Sequence, residues 1–264
     1  MNSIKENPIG FFDSGIGGSS IWKEVHKLLP NENTIYLADS KNAPYGDKTE
    51  NRIIEYCVKN TEILLNQNAK IIVVACNTAT TNAIKVLREI YTIPFIGIEP
   101  AIKPASLVTK TNNIGVLATK GTIQSDLFEK TSANLKSNIK IIEKVGDGLV
   151  DLIEEGEIES KEIEFLLKKY LNPMMEKNID ALVLGCTHYP YLIPSIRKIV
   201  TNDIKIIDAG FAVARQTKKI LEKFNIAQTN ENCKTTHKFF SNKDTKVLSK
   251  LLNNYSVEIL SKEF

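Results

Sequence analysis

A strand-ending pattern that occurs twice constrains this chain most. Ile9-Gly10-Phe11-Phe12-Asp13-Ser14 is matched by Ile114-Gly115-Val116-Leu117-Ala118-Thr119. Ile71 to Asn77 is matched by Ala181-Leu182-Val183-Leu184-Gly185-Cys186-Thr187. Ile204-Lys205-Ile206-Ile207-Asp208 follows Pro94 to Glu99 more loosely. The offsets are 105 residues from Ile9 to Ile114 and 110 from Cys76 to Cys186. Repeats of that length are too long for a solenoid and read as two similar domains. The alternative is that strands ending in small residues recur by chance.

Between the apolar runs lie stretches of helical spacing. Ile21, Val25, Leu28 and Leu29 form one. A second opens at Thr49, a plausible N-cap, and a third covers 77–90. Strand–helix alternation predicts an α/β fold of parallel sheets with helices on both faces. The expected architecture is two pseudo-symmetric open parallel-sheet α/β domains with the active site in the cleft between them. After Asp208 the chain has a helix at Val213 to Phe224, a strand at His237 to Phe240, and a last helix and strand. That is too little for a third domain. The expected division is therefore a discontinuous first domain, 1–98 plus 210–264, and a second domain, 99–209.

Composition excludes several function classes. Lys+Arg number 34 against 31 Asp+Glu, a net charge of +3, and only four of the basic residues are Arg. No basic stripe is present, which argues against a nucleic-acid partner. The longest apolar run, Ile71 to Cys76, is far short of the ~18 residues of a membrane span. It is also too short for a signal-peptide core, and Met1 to Pro8 is polar, so a cytoplasmic protein is expected. The four cysteines, Cys57, Cys76, Cys186 and Cys233, include no C-x-x-C pair, and no disulfide framework is expected.

Ligands of open parallel sheets bind beyond the carboxyl ends of the strands. The residues there are Asp13-Ser14, Asp39, Cys76-Asn77-Thr78, Glu99, Thr119, Cys186-Thr187-His188 and Asp208. Cys76 and Cys186 hold matching places in the two repeats. Facing each other across a cleft, they would supply acid and base to opposite faces of one carbon, which is what inversion of a stereocentre needs. The bland reading is two buried structural thiols. Gly15-Ile16-Gly17-Gly18 with Asp39 invites a dinucleotide fingerprint, but Ser20 stands where the third glycine belongs. A tight strand–helix turn explains these glycines equally well. A zinc set of Cys76, Cys186, His188 and His237 has poor ligand spacing. His26 and His237 read as surface or packing residues.

Four blocks carry a family resemblance: Asp13-Ser14-Gly15-Ile16-Gly17-Gly18, Ala43-Pro44-Tyr45-Gly46, Ala75-Cys76-Asn77-Thr78-Ala79-Thr80 and Gly185-Cys186-Thr187-His188-Tyr189-Pro190. In order and spacing, and across nearly the whole chain, they resemble the signature blocks of glutamate racemases. The resemblance implies interconversion of L- and D-glutamate by two cysteines, matched here by Cys76 and Cys186, with no pyridoxal phosphate, no metal and no other cofactor. It implies Asp13, His188 and Glu154 as partners of the thiols. It implies Asp13, Ser14, Tyr45, Gly46, Asn77, Thr78, Thr187 and His188 as substrate-binding positions. By the same resemblance Cys76 acts on the D-enantiomer and Cys186 on the L-enantiomer. The segment Lys144 to Gly148, before Glu154, departs from the family's usual Cys-Pro pair. The implied role is D-glutamate supply for bacterial peptidoglycan synthesis and thus cell wall biogenesis and cell shape; a homodimer is compatible with it. Family members regulated by a cell-wall precursor carry a longer N-terminal segment, so that regulation is not expected here. Three rival readings stand beside this one: a racemase of aspartate or another acidic amino acid, an inactive amino-acid binding protein, and a nucleotide-linked oxidoreductase.

Overall fold

The computed structural model describes residues 4–230 and 234–264. Cys233 lies outside the described residues. Among the described residues ten strands form two sheets, all parallel. They are β1 (Ile9–Asp13), β2 (Thr34–Ala38), β3 (Ile71–Val74), β4 (Phe95–Ile96), β5 (Asn113–Ala118), β6 (Lys140–Val145), β7 (Ala181–Gly185), β8 (Lys205–Ile207), β9 (His237–Ser241) and β10 (Glu258–Ser261). The first sheet runs β10-β9-β2-β1-β3-β4 and the second β6-β5-β7-β8. The second sheet thus repeats the β2-β1-β3-β4 order of the first, strand for strand.

The pairing also explains why the repeat was legible at three strands and not at the fourth. β2 is an interior strand, because the C-terminal strand β9 pairs with it, and all five of its residues are buried. Its counterpart β6 lies at a sheet edge and is exposed or half-buried throughout. An edge strand has one neighbour and can carry Lys and Glu, so the apolar run that marks β2 is lost in β6. β4 is only two residues long, Phe95–Ile96, although the apolar spacing runs on to Ile98. There the Ile98 N–H donates to Thr80 Oγ1 at 2.9 Å instead of to a neighbouring strand.

Helices cover the sheet faces. Ser19–Leu28 buries Ile21, Trp22 and Val25 and packs against Gly210–Lys223 from the tail. Glu50–Asn66 begins at Thr49, whose Oγ1 accepts the Arg52 N–H. Asn77–Ile90 starts directly after β3, and the Cys76 sulfur caps it. One apolar core joins Phe11, Tyr36 and Val73 of the first sheet to Leu182, Leu184 and Tyr189 of the second. His26 and His237 belong to an aromatic cluster with Trp22 and Tyr255, so both are packing residues. Among the described residues no helix is long and apolar enough to cross a membrane.

Parallel register brings the strand ends to common edges. Asp13 pairs with Ala38, and Ala38 with Ser241, so Asp13, Asp39 and Asn242 emerge side by side. In the second sheet Ala118 pairs with Gly185, which sets Thr119 beside Cys186.

Candidate active site

One small cleft gathers the carboxyl ends of both sheets. It is lined by Ser14, Pro44, Tyr45, Gly46, Cys76, Asn77, Thr78, Thr119, Val150, Cys186, Thr187 and His188. Asp13 and Glu154 stand behind the wall, each in contact with a residue that forms it. Pro44, Thr119 and Val150 also line the cleft; Thr119 is among the strand-end residues read from sequence, whereas Pro44 and Val150 were given no role there. Thr119 had a signal: 105 residues after Ser14, it is Ser14's counterpart in the repeat.

The Cys76 half-site is built from β1 and β3. Asp13 is fully buried at the end of β1, and its Oδ2 accepts the Gly18 N–H at 2.7 Å. Cys76 Sγ accepts the Ala79 N–H at 3.4 Å, and its S–H donates to Ser14 Oγ at 3.7 Å. Burial pushes the Cys76 thiol well above its ordinary range, and the negative charge of Asp13 pushes it the same way. Burial likewise raises Asp13, although His188 and the Gly18 N–H oppose it. The sulfur on this side is held as a neutral thiol.

The Cys186 half-site is a chain of three groups. His188 Nδ1 lies 3.7 Å from Cys186 Sγ, and His188 Nε2 lies 2.6 Å from Glu154 Oε1. Nε2 is also 3.2 Å from the Gly17 nitrogen. A ring nitrogen cannot both donate to the carboxylate and accept from Gly17, and the shorter, charge-assisted bond prevails. Glu154 therefore fixes the proton on Nε2 and leaves Nδ1 facing the sulfur. Burial alone would lower the pKa of His188. Its hydrogen bonds to Cys186 and Glu154, with their negative charge, outweigh burial and raise it well above an ordinary histidine. The raised imidazole is the ring that faces the Cys186 sulfur.

The Gly15-Ile16-Gly17-Gly18 turn is what lets the two halves meet. Glu154 Oε1 also accepts the Ile16 N–H, at 2.7 Å. A Cβ on Gly15 would lie 1.9 Å from Glu154 Oε1, and one on Gly17 would lie 2.2 Å from His188 Nδ1. Neither glycine has the left-handed backbone that a turn would demand. They are glycines because Glu154, from the helix Leu149–Glu154, and His188, from the segment after β7, press on their backbone. Ser20 Oγ donates to Thr187 O at 2.8 Å and Ser19 Oγ bonds Tyr191 Oη at 2.6 Å, closing the same seam.

The remaining lining is neutral. Thr78 and Thr119 hydroxyls meet at 2.8 Å, one from the helix after β3 and one from the segment after β5. Asn77 is 3 % exposed and its Nδ2 has no partner among the described residues, so a buried amide donor stands ready for a ligand. The helix Asn77–Ile90 adds the positive end of its dipole. None of the four arginines lines the cleft. Arg52 pairs with Glu55, Arg88 and Arg197 bond the carbonyls of Phe95 and Ile204, and Arg215 lies over Phe211.

Two buried sulfurs from equivalent strand ends, one backed by a carboxylate and one by an imidazole, define a site for acid–base chemistry on a small ligand. Comparison with known proteins gives that site its class. Residues 19–217 match the Asp/Glu/Hydantoin racemase model, and the chain belongs to this family of isomerases as an amino-acid racemase. A curated glutamate racemase of Cupriavidus pinatubonensis is 44 % identical over 227 residues, which is 86 % of this chain and 84 % of that protein. The glutamate racemase of Francisella tularensis, solved in complex with D-glutamate, superposes with a TM-score of 0.84 at 32 % identity, covering 98 % of both chains. That of Escherichia coli, solved with L-glutamate and an activator, superposes at 0.86 and 31 % identity over 97 % of this chain and 98 % of that one.

Proposed function

We propose that the protein is a cofactor-independent glutamate racemase that works by two-base proton transfer at Cα. The observation that carries this reading is that Cys76 and Cys186, at equivalent ends of β3 and β7, line one small cleft. A thiolate on one face takes the Cα proton, and the C–H electron pair is left on the carbon. The thiol on the other face delivers its proton there. The substrate inverts and the two sulfurs exchange protonation states.

By the family resemblance Cys186 takes the Cα proton of L-glutamate and Cys76 that of D-glutamate; burial and then the Asp13 charge raise the Cys76 thiol, and the raised His188 stands 3.7 Å from Cys186 Sγ. Glu154 and Asp13 act through His188 and Cys76. The two carboxylates of glutamate would meet Asn77 Nδ2, the hydroxyls of Ser14, Thr78, Thr119 and Thr187, and backbone N–H groups at Tyr45-Gly46 and the helix start, without arginine. The domain division 1–98 plus 210–264 and 99–209, a homodimer, a cytoplasmic location and a role in peptidoglycan supply belong to the same proposal.

Circular dichroism of the purified protein with each glutamate enantiomer, and with aspartate, tests it. With no cofactor added, the glutamate signal should decay to zero from either side, and aspartate should change far more slowly. A stable signal from both glutamate enantiomers contradicts the proposal.

A further inference from the structure

The C-terminal tail reaches the wall of the cleft. Asn242 follows β9 directly and emerges beside Asp39, which follows β2. Asn242 is 3 % exposed. Its Nδ2 donates to Asp39 Oδ1 at 2.5 Å, and its Oδ1 accepts the Lys41 N–H at 2.9 Å. Its own N–H reaches Ala38 O at 3.3 Å. The side chain thus grips both ends of the turn that leads from β2 toward Pro44-Tyr45-Gly46.

Asp39 passes this grip on. Oδ1 also accepts from Asn42 Nδ2 at 2.8 Å, and Oδ2 accepts the Tyr45 hydroxyl at 2.5 Å. Asn60 Nδ2 approaches that hydroxyl at 3.3 Å, and the Tyr45 ring stacks on Tyr56. Asn242, Asp39 and Tyr45 form an unbroken buried chain. Its last member lines the cleft, and the next residue, Gly46, is pressed against Thr119 of the other sheet. A Cβ on Gly46 would lie 3.1 Å from Thr119 Cβ, so the wall has little slack at this point.

We propose that Asn242 is a positioning residue: through Asp39 it sets the place of the Tyr45-Gly46 wall and so the affinity of the site for glutamate. The inference rests on the racemase reading, since it takes that wall as a substrate surface. Asn242 touches neither sulfur nor any other lining residue's reacting group. Its loss should therefore affect binding of both enantiomers alike and spare the proton transfers.

The test is a double-mutant cycle with Asn242→Ala, Tyr45→Phe and the pair, read as KM and kcat in both directions beside thermal unfolding. Asn242→Ala should raise KM for L- and D-glutamate on the order of tenfold, the scale of one lost hydrogen bond to a buried charge. kcat should stay within about threefold. Tyr45→Phe removes only the hydroxyl, and the pair should be no worse in KM than about twice the worse single variant. Additive KM effects, or an Asn242→Ala KM within twofold of wild type in an active enzyme, overturn the inference alone. If neither Asn242→Ala nor the milder Asn242→Ser folds, Asn242 holds the fold and not the wall, which overturns it too. An inactive wild-type chain defeats the racemase reading and this inference with it.

Discussion

Cys76 and Cys186 stand at the same point of two sheets with the same strand order, yet their surroundings differ residue by residue. On the β1 side Asp13 backs Cys76, and its counterpart 105 residues on is Ala118. On the β7 side His188 backs Cys186, and its counterpart 110 residues earlier is Thr78. The shared strand order gives the two sulfurs matching places, while the neighbour is an acid for one and an imidazole for the other. The difference is electrostatic. Burial and then the Asp13 charge raise the Cys76 thiol, whereas beside Cys186 stands a histidine that burial would lower and that its hydrogen bonds to Cys186 and Glu154 raise. Placement is symmetric and charge is not.

The bluntest way to break the comparison is to remove either sulfur. Cys76→Ala and Cys186→Ala should each lower turnover on the order of 10³-fold or more in both directions while the chain stays folded, because each direction uses both groups. Activity above a tenth of wild type in either variant rejects the two-base scheme. Next come the partners. His188→Asn should cut the L-to-D kcat roughly 10–100-fold and the D-to-L kcat less; Asp13→Asn should do the reverse or slow both. Glu154→Gln should follow His188→Asn more weakly. The enantiomers have equal energy in water, so kcat/KM must fall equally in both directions. The asymmetry can show only in kcat and KM separately and in primary deuterium isotope effects. Identical changes for both variants would remove the assignment of His188 to the Cys186 side.

Gly17→Ala is a subtler probe of the same side. Its Cβ would intrude on the His188 ring, so it should reproduce the His188→Asn signature at about a tenfold loss. A Gly17→Ala enzyme with wild-type kcat in both directions would show that the ring has room to move. The smallest effects concern pH. The raised pKa of His188 gives stability that is complete below an unfolded value of ~6.5 and lost as pH rises through the folded value. The stability gap between wild type and His188→Asn should narrow at alkaline pH. His237 is the opposite case: burial, then the nearby His26, lower it to about 4. Its contribution is present above ~6.5 and is lost as pH falls toward 4, on the order of 1 kcal/mol after allowance for partial solvent screening. Chemical unfolding of wild type and His237→Gln at pH 7.5 and 5 would read that difference, and equal losses would contradict it.

Much of this site could be read without coordinates because parallel sheets put chemistry at strand ends. Asp13, Cys76 and Cys186 each directly follow or end an apolar run, with His188 two residues on, and the run announces them. Glu154 does not: it closes the short helix Leu149–Glu154, no apolar run marks it, and apart from the family resemblance it is the 2.6 Å approach to His188 that singles it out. The glycine turn was visible, but its reason was not, since the atoms that forbid a Cβ come from residues 139 and 171 positions away. Asn242 satisfied the same strand-end rule after β9, but β9 is a tail strand whose neighbour in the sheet no local pattern reveals. Sequence periodicity reports burial along one segment. It does not report which distant segment provides the cover.

Deuterium incorporation during a single turnover tests the central claim most directly. With L-glutamate in D2O, at low conversion, newly formed D-glutamate should carry deuterium at Cα, and recovered L-glutamate should carry none. The same should hold with the enantiomers exchanged, because each sulfur faces only one side of the carbon and gives its own solvent-derived proton. Protium retained in the product, or deuterium in the recovered substrate at that stage, would mean that a single base serves both faces, and Cys76 and Cys186 would not be the opposed pair described for this cleft.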